Sequence, residues 1–257
     1  EHNRGGVFML QGFYNLASGM ATQNKNMNVI SNNMANVSTP GYKSDAMTAT
    51  TFQQEMFYRT GNQDRGAAAQ LGPINMIKVP GETITDYTDG TYTPTDSNLD
   101  CAINGKGFFK VATPTGIVYT RNGSFSVDEE GCLFLRDIGR VQGTGGDITV
   151  ETDRISVDAL GGIYSEEGDL VDNLSIVDFA DYAAMTKNAN GTFDSAGAEI
   201  ELEAPNVYSK TLELANVEPM EEMKNMIATQ RAIQGSSQIL KMYDQLMTKA
   251  VTEIGRV

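Results

Sequence analysis

The chain has 257 residues, with 19 Lys and Arg against 33 Asp and Glu and a net charge of −14. That length makes one or two domains and buries a core without disulfide or metal staples. A balance this acidic argues against nucleic-acid binding through phosphate contacts and disfavours anionic lipid, while a single histidine, His2 at the extreme N-terminus, nearly excludes His-based triads and His-rich metal sites.

Residues Glu1 to Phe8 lack the basic region, apolar stretch and small-residue cleavage site of a secretory signal; Met9 reads as a start, with Glu1 to Phe8 an added or unexplained extension. No apolar run approaches the ~18 residues that span a bilayer. From Phe13 the apolar side chains fall at Leu16, Met20, Met27, Ile30 and Met34, in steps of 3 and 4, with Gln23 in the one polar slot. This seam predicts a heptad helix over Leu10–Asn36. Its other faces are rich in Asn, Gln and Ser and poor in charge, which suits a helix surrounded by other polar helices. Thr39-Pro40-Gly41-Tyr42 ends it, because Pro disfavours helix at the preceding residue and Gly turns the chain.

Residues 46–98, rich in Thr, Gly and Asp, read as an extended, partly β connector. Next comes a run of short strand signals. Phe108–Ala112 and Gly116–Thr120 flank a Thr113-Pro114-Thr115 turn, and Phe125–Val127 and Cys132–Leu135 flank Asp128–Gly131. Further strands are predicted at Asp147–Val150, Arg154–Val157, Gly162–Tyr164 and Leu174–Phe179. Strands at this spacing with turn signals predict an all-β sandwich or barrel. A second heptad helix opens at Pro219, a good first-turn residue. Met226, Ile233, Leu240, Met247 and Ile254 lie seven apart, with Thr229, Ser236, Tyr243 and Ala250 between them.

The fold class is therefore α+β: long terminal heptad helices pairing as an antiparallel coiled coil, with an all-β domain between them. The expected domains are residues 9–44, 45–98, 99–210 and 211–257, and a fragment from Asp45 to Lys210 is expected to melt cooperatively by itself.

Catalytic signals are weak. Gly143-Thr144-Gly145-Gly146-Asp147 completes no nucleotide-binding pattern and reads as a turn. Asn104-Gly105-Lys106-Gly107 precedes strands rather than a helix and reads as a hairpin entry. Asp128, Glu129 and Glu130 lack calcium-loop spacing, and nothing places Asp96 and Asp100 in one cleft. Cys101 and Cys132 form no CxxC pair and read as buried free thiols, with a mutual disulfide as the alternative. No catalytic residue, metal or cofactor is expected.

Four segments carry a resemblance. Asn28 to Lys43 resembles the N-terminal signature of the bacterial flagellar rod and hook proteins. Leu99 to Phe109 resembles that family's LDxAIxGxGFF segment, Tyr119 to Phe125 its YTRxGxF segment, and Leu214 to Ala232 its C-terminal segment. They occur in the family's order and span nearly the whole chain. The departures are Cys101, Ala215 and Ile233.

The resemblance implies a structural subunit of the flagellar rod that polymerises helically into the axial drive shaft, with the proximal-rod type favoured over the distal. It implies helices lining a tube, an outer β-domain and passage through the flagellar type III export apparatus to the basal body without a cleaved signal. The implied partners are other copies and other axial proteins. The implied assembly motif is Asn32, Asn33, Ala35, Asn36, Thr39, Pro40, Gly41 and Tyr42. Alternatives are a hook-type subunit, an extracellular β-rich adhesin with helical ends and a hydrolase using acidic residues.

Overall fold

The computed structural model describes residues 4–59, 69–150, 152, 154–195, 197–202 and 204–254. His2 lies outside them. The described residues fall into two compact units, one within residues 4–32, 45–84 and 220–254, the other within residues 33–44 and 85–219.

The first unit contains most of α1 (Arg4–Ala35) and α2 (Pro219–Ile254). Helix α1 starts ahead of the expected Leu10. Helix α2 places Pro219 in its first turn, where the missing N–H costs nothing, and Glu221 and Glu222 there complement the helix dipole. Along α1, Leu16, Met20, Met27 and Met34 are half-buried and Ile30 is buried, but Phe13 is 40% exposed. Along α2, Met226, Ile233 and Leu240 are half-buried and Thr229 is buried, but Met247 is exposed. The Ile254 side chain lies outside the described residues. Contacts among the described residues join the helices. Ser237 Oγ donates to Met20 Sδ at 3.5 Å, and Gly12 faces the Tyr243 hydroxyl, 2.9 Å from where a Cβ would stand. Numbers rise along one helix as they fall along the other, so the two run antiparallel.

The same unit holds a long two-stranded ribbon, β1 (Asp45–Arg59) and β2 (Ala69–Thr85), within the segment expected to be only partly β. Near its base the Thr48 hydroxyl donates to Glu82 O at 3.0 Å, and Lys25 Nζ on α1 reaches Gly81 O at 3.1 Å. Among the described residues no helix is long and apolar enough to cross a membrane.

The second unit is β-rich. In chain order its strands are β3 (Tyr92–Pro94), β4 (Cys101–Ile103), β5 (Phe108–Thr113), β6 (Gly116–Thr120), β7 (Phe125–Val127), β8 (Leu133–Leu135) and β9 (Gly139–Gly143). After them come β10 (Gly146–Asp147), β11 (Ser156–Val157), β12 (Gly162–Tyr164), β13 (Leu170–Asn173), β14 (Ile176–Phe179) and β15 (Thr186–Lys187). The last are β16 (Phe193–Asp194), β17 (Glu199–Glu201), β18 (Val207–Ser209) and β19 (Thr211–Glu213).

The main sheet runs β15-β16-β6-β5-β9-β8-β7, with β10 on β9, β14 on β5 and β17 on β14. Strands β11-β12-β13 form a second sheet, and two pairs, β18-β4 and β19-β3, tie the chain's late strands to its early ones. The expected β5–β6 hairpin pairs Val111 with Val118, and β7–β8 pairs Ser126 with Phe134. The strands expected at Asp147–Val150 and Arg154–Val157 shrink to β10 and β11.

Alternating inward residues build one core from Ile103, Phe109, Leu133, Val141, Ile163 and Ile176. A second core is aromatic, with Phe108, Tyr119, Phe179 and Phe193; Tyr119 meets Phe179 edge-on at 4.8 Å. Cys101 and Cys132 are both buried and free, so the disulfide alternative does not hold. Burial pushes the Cys101 thiol up to about 12, with the Asp100 charge adding to it, so it stays protonated and inert at neutral pH.

Candidate functional site

The site grows from the end of α1. Past Ala35 the chain tightens into a turn in which Thr39 N–H donates to Asn36 O at 3.0 Å and the Thr39 hydroxyl reaches Asn36 Oδ1 at 3.3 Å. Pro40 cannot continue the helix. Gly41 then adopts φ 67°, and its N–H donates to Glu213 O at 2.7 Å. A Cβ at Gly41 would stand 2.3 Å from the Arg121 carbonyl carbon, so both conformation and space demand glycine.

Tyr42 turns inward and its hydroxyl donates to Asn33 Oδ1 at 3.2 Å. Lys187, from the β15–β16 hairpin, stands 3.8 Å from the centre of the Tyr42 ring and donates to Lys43 O at 2.6 Å. Asn32 and Ala35 face outward, whereas Asn33, Gly41 and Tyr42 are buried and Asn36, Thr39 and Pro40 are half-buried.

Lys43 carries its ammonium into the unit with only 1% of its side chain exposed. It donates to Glu213 Oε1 at 2.7 Å and to Thr88 O at 2.7 Å. Glu213, equally buried, also accepts from Gly90 N–H at 2.9 Å and, through Oε2, from Arg121 Nη1 at 3.3 Å. Arg121 is 4% exposed; its Nη1 also reaches Asp89 at 3.3 Å, and its Nη2 donates to Gly105 O at 2.6 Å. Its guanidinium lies 5.2 Å from the centre of the Phe108 ring. Asp89, 39% exposed, completes a cluster of two cations and two carboxylates.

Burial pulls the Lys43 pKa below its ordinary value, and the Glu213 carboxylate opposes that pull without cancelling it. Beside the cluster, Asn216 Oδ1 accepts from Ser44 N–H at 2.6 Å while its amide donates to Asp86 O at 2.8 Å.

Four distant stretches of chain meet here: residues 41–44, 86–91, Arg121 and residues 213–216. Three of them lie in or beside the segments that carry the resemblance. The arrangement holds the point where the chain enters the β-unit against the point where it leaves. Its polar groups are matched to one another, with the Arg121 Nε as the one buried side-chain nitrogen or oxygen lacking a partner among the described residues.

The weak catalytic signals resolve structurally. The glycine-rich loop holds an internal carboxylate: Asp172 accepts from the Thr144 hydroxyl at 3.0 Å and from Gly145 N–H at 3.3 Å. Asp128 and Glu130 both pair with Arg140, and Asp128 Oδ1 caps its own turn by accepting from Cys132 N–H at 2.7 Å. Asp100 is buried and accepts from the Thr95 hydroxyl at 2.7 Å, while Asp96 is exposed. Gly105 and Gly107 both take positive φ, giving the expected tight entry to β5.

Sequence reasoning picked out Gly41 and Tyr42 but missed Lys43, Arg121, Glu213 and Asp89 as a set. The available signal was charge standing among apolar neighbours, as at Glu213 between Leu212 and Leu214.

Three family models match the chain: "Flagella basal body rod protein" over residues 13–43, "Flagellar hook protein FlgE/F/G D1 domain" over residues 102–165, and "Flagellar basal body rod FlgEFG protein C-terminal" over residues 208–253. The flagellar basal-body rod protein FlgG of Bacillus subtilis is 30% identical, covering 95% of this chain and 98% of its own length. FlgG of Buchnera aphidicola (from Acyrthosiphon pisum) is also 30% identical, covering 90% and 95%. The rod protein FlgF of Caulobacter vibrioides is 27% identical, covering 93% and 96%.

Proposed function

The chain belongs to the flagellar basal-body rod protein family, and on that premise we propose how it does its work as a structural subunit of the rod at the basal body. The terminal helices pair as an antiparallel coiled coil and form the polymerising element. Copies stack helically into the axial shaft that carries torque from motor to hook, alongside other axial proteins. The β-unit forms the outer layer, and the chain reaches its site through the flagellar export apparatus. The subunit works as a mechanical part and carries out no catalysis.

The observation that carries this reading is the apolar surface α2 leaves open. Met220 is 74% exposed, and Met223, Ile227, Ile239, Met242 and Leu246 are exposed with it. The first three line a groove flanked by Lys224 and Arg231. A lone soluble helix seldom leaves so many large apolar side chains in water. Asn32 and Ala35, the outward members of the N-terminal motif, belong to the assembly surface too, and Leu16, Met20, Met27, Ile30, Met34, Met226, Ile233 and Leu240 form the seam, which Met247, exposed in the single chain, and Ile254 extend in the assembly.

Electron microscopy of concentrated protein tests the reading. Tubes or helical filaments of uniform diameter are expected; particles that stay monomeric at every concentration would favour the adhesin alternative.

A further inference from the structure

We propose that the β-unit carries a folding gate: its strands do not close into a stable unit until residues 207–217 dock and deliver Glu213 to Lys43 and Arg121. This segment joins several early parts of the unit. Strand β18 pairs with β4, setting Val207 opposite Ile103, and β19 pairs with β3, setting Glu213 opposite Tyr92. Leu214 N–H donates to Thr91 O at 2.9 Å, Gly41 N–H donates to Glu213 O at 2.7 Å, and Asn216 N–H donates to Tyr42 O at 3.2 Å. These partners all precede the segment by long stretches of chain, so no local turn can substitute for it, and the loop closed on docking is long.

Charge makes the dependence steep. With Glu213 absent, Lys43 and Arg121 share one half-exposed carboxylate, Asp89, in a place where their own side chains are 1% and 4% exposed. Two cations at low dielectric with a single anionic partner favour the open, hydrated chain. Strand β19 is the last strand among the described residues, so in synthesis the closing piece appears after the strands it pairs with and their neighbours in the sheets. A chain held open in this way suits a subunit that travels unfolded, which is the reading above, but the gate stands on the cluster's geometry alone.

The test is refolding of the full chain from denaturant, with pulsed hydrogen-exchange labelling. The amides of Leu133 and Leu174, bonded inside the sheets to Ile148 O and Gly161 O, are expected to gain protection in the same phase as those of Gly41 and Leu214. Glu213→Gln is expected to slow refolding about a hundred- to a thousandfold. The double change Lys43→Met with Glu213→Gln removes one charge of each sign and is expected to recover to within about tenfold of the parent. Protection of Leu133 and Leu174 in an earlier phase than Gly41 and Leu214 would overturn the gate. So would an unchanged rate in E213Q, or a double variant as slow as the single one. If E213Q does not refold at all, the parent labelling and the double variant decide.

Discussion

Gly41→Val is expected to unfold the β-unit and abolish assembly. The residue sits at φ 67°, a region that a β-branched side chain hardly enters, and that strain alone costs about 1–3 kcal/mol. The added Cβ would also stand 2.3 Å from the Arg121 carbonyl carbon and 2.4 Å from Asn122 N, both backbone atoms with no rotamer to escape into. Relief requires Gly41 to move, which breaks its bond to Glu213 O and shifts Lys43 away from the Glu213 carboxylate. Gly41→Ala carries the same clash with less crowding beyond Cβ and should be damaging to a smaller degree. Thermal unfolding followed by near-ultraviolet circular dichroism checks this. A G41V protein melting within a few degrees of the parent would show that the turn can re-form elsewhere.

A fragment of residues 45–210 is expected to be far less stable than the same β-unit supplied with residues 33–44 and 211–219. The shorter piece keeps Arg121 but leaves out Lys43, Glu213, Asn216 and the whole of β19, which pairs with β3. Stranding one member of a buried ion-pair cluster costs roughly 3–5 kcal/mol, a large part of the roughly 5–15 kcal/mol a domain has to spend. Denaturant titration of residues 45–210 against residues 33–219 measures the difference. Equal midpoints would mean that the cluster is stability-neutral and that β4 to β17 fold without it.

Local features of this fold are legible in the sequence, and contacts between distant stretches are not. Helical periodicity is local, so the seam from Leu16 to Met34 could be read from spacing alone. Which apolar positions stay uncovered could not: Phe13 and Met247 fit the repeat but are exposed, because burial depends on the partner helix and its register. Pro40-Gly41 announced the turn for the same local reason. The β5–β6 hairpin was legible because its strands alternate around an obvious turn.

The two-residue strands β10, β11, β15 and β16 were not, since neighbouring strands define them more than their own residues do. The β1–β2 ribbon hid behind a Thr- and Gly-rich composition. The Lys43–Glu213 pair spans 170 positions, and no local pattern reports such a contact. The resemblance marked the right neighbourhoods, at Lys43, Arg121 and Asn216, without saying that they meet.

The β-unit is expected to be a finished fold in the free subunit, and the terminal helices to complete theirs against other copies. The helices gain little by themselves: their seam is diluted by Gln23, Thr229 and Ser236, and burial returns about 25 cal/mol per Å² against about 1–2 kcal/mol per residue for backbone ordering. Hydrogen exchange, compared between dilute monomer and assembled polymer, tests this most directly. The account predicts strong protection of the β-unit in both states. Residues 10–36 and 220–254 should exchange quickly in the monomer and slowly in the polymer. Protection of both helices in the dilute monomer equal to that of the β-unit would contradict it.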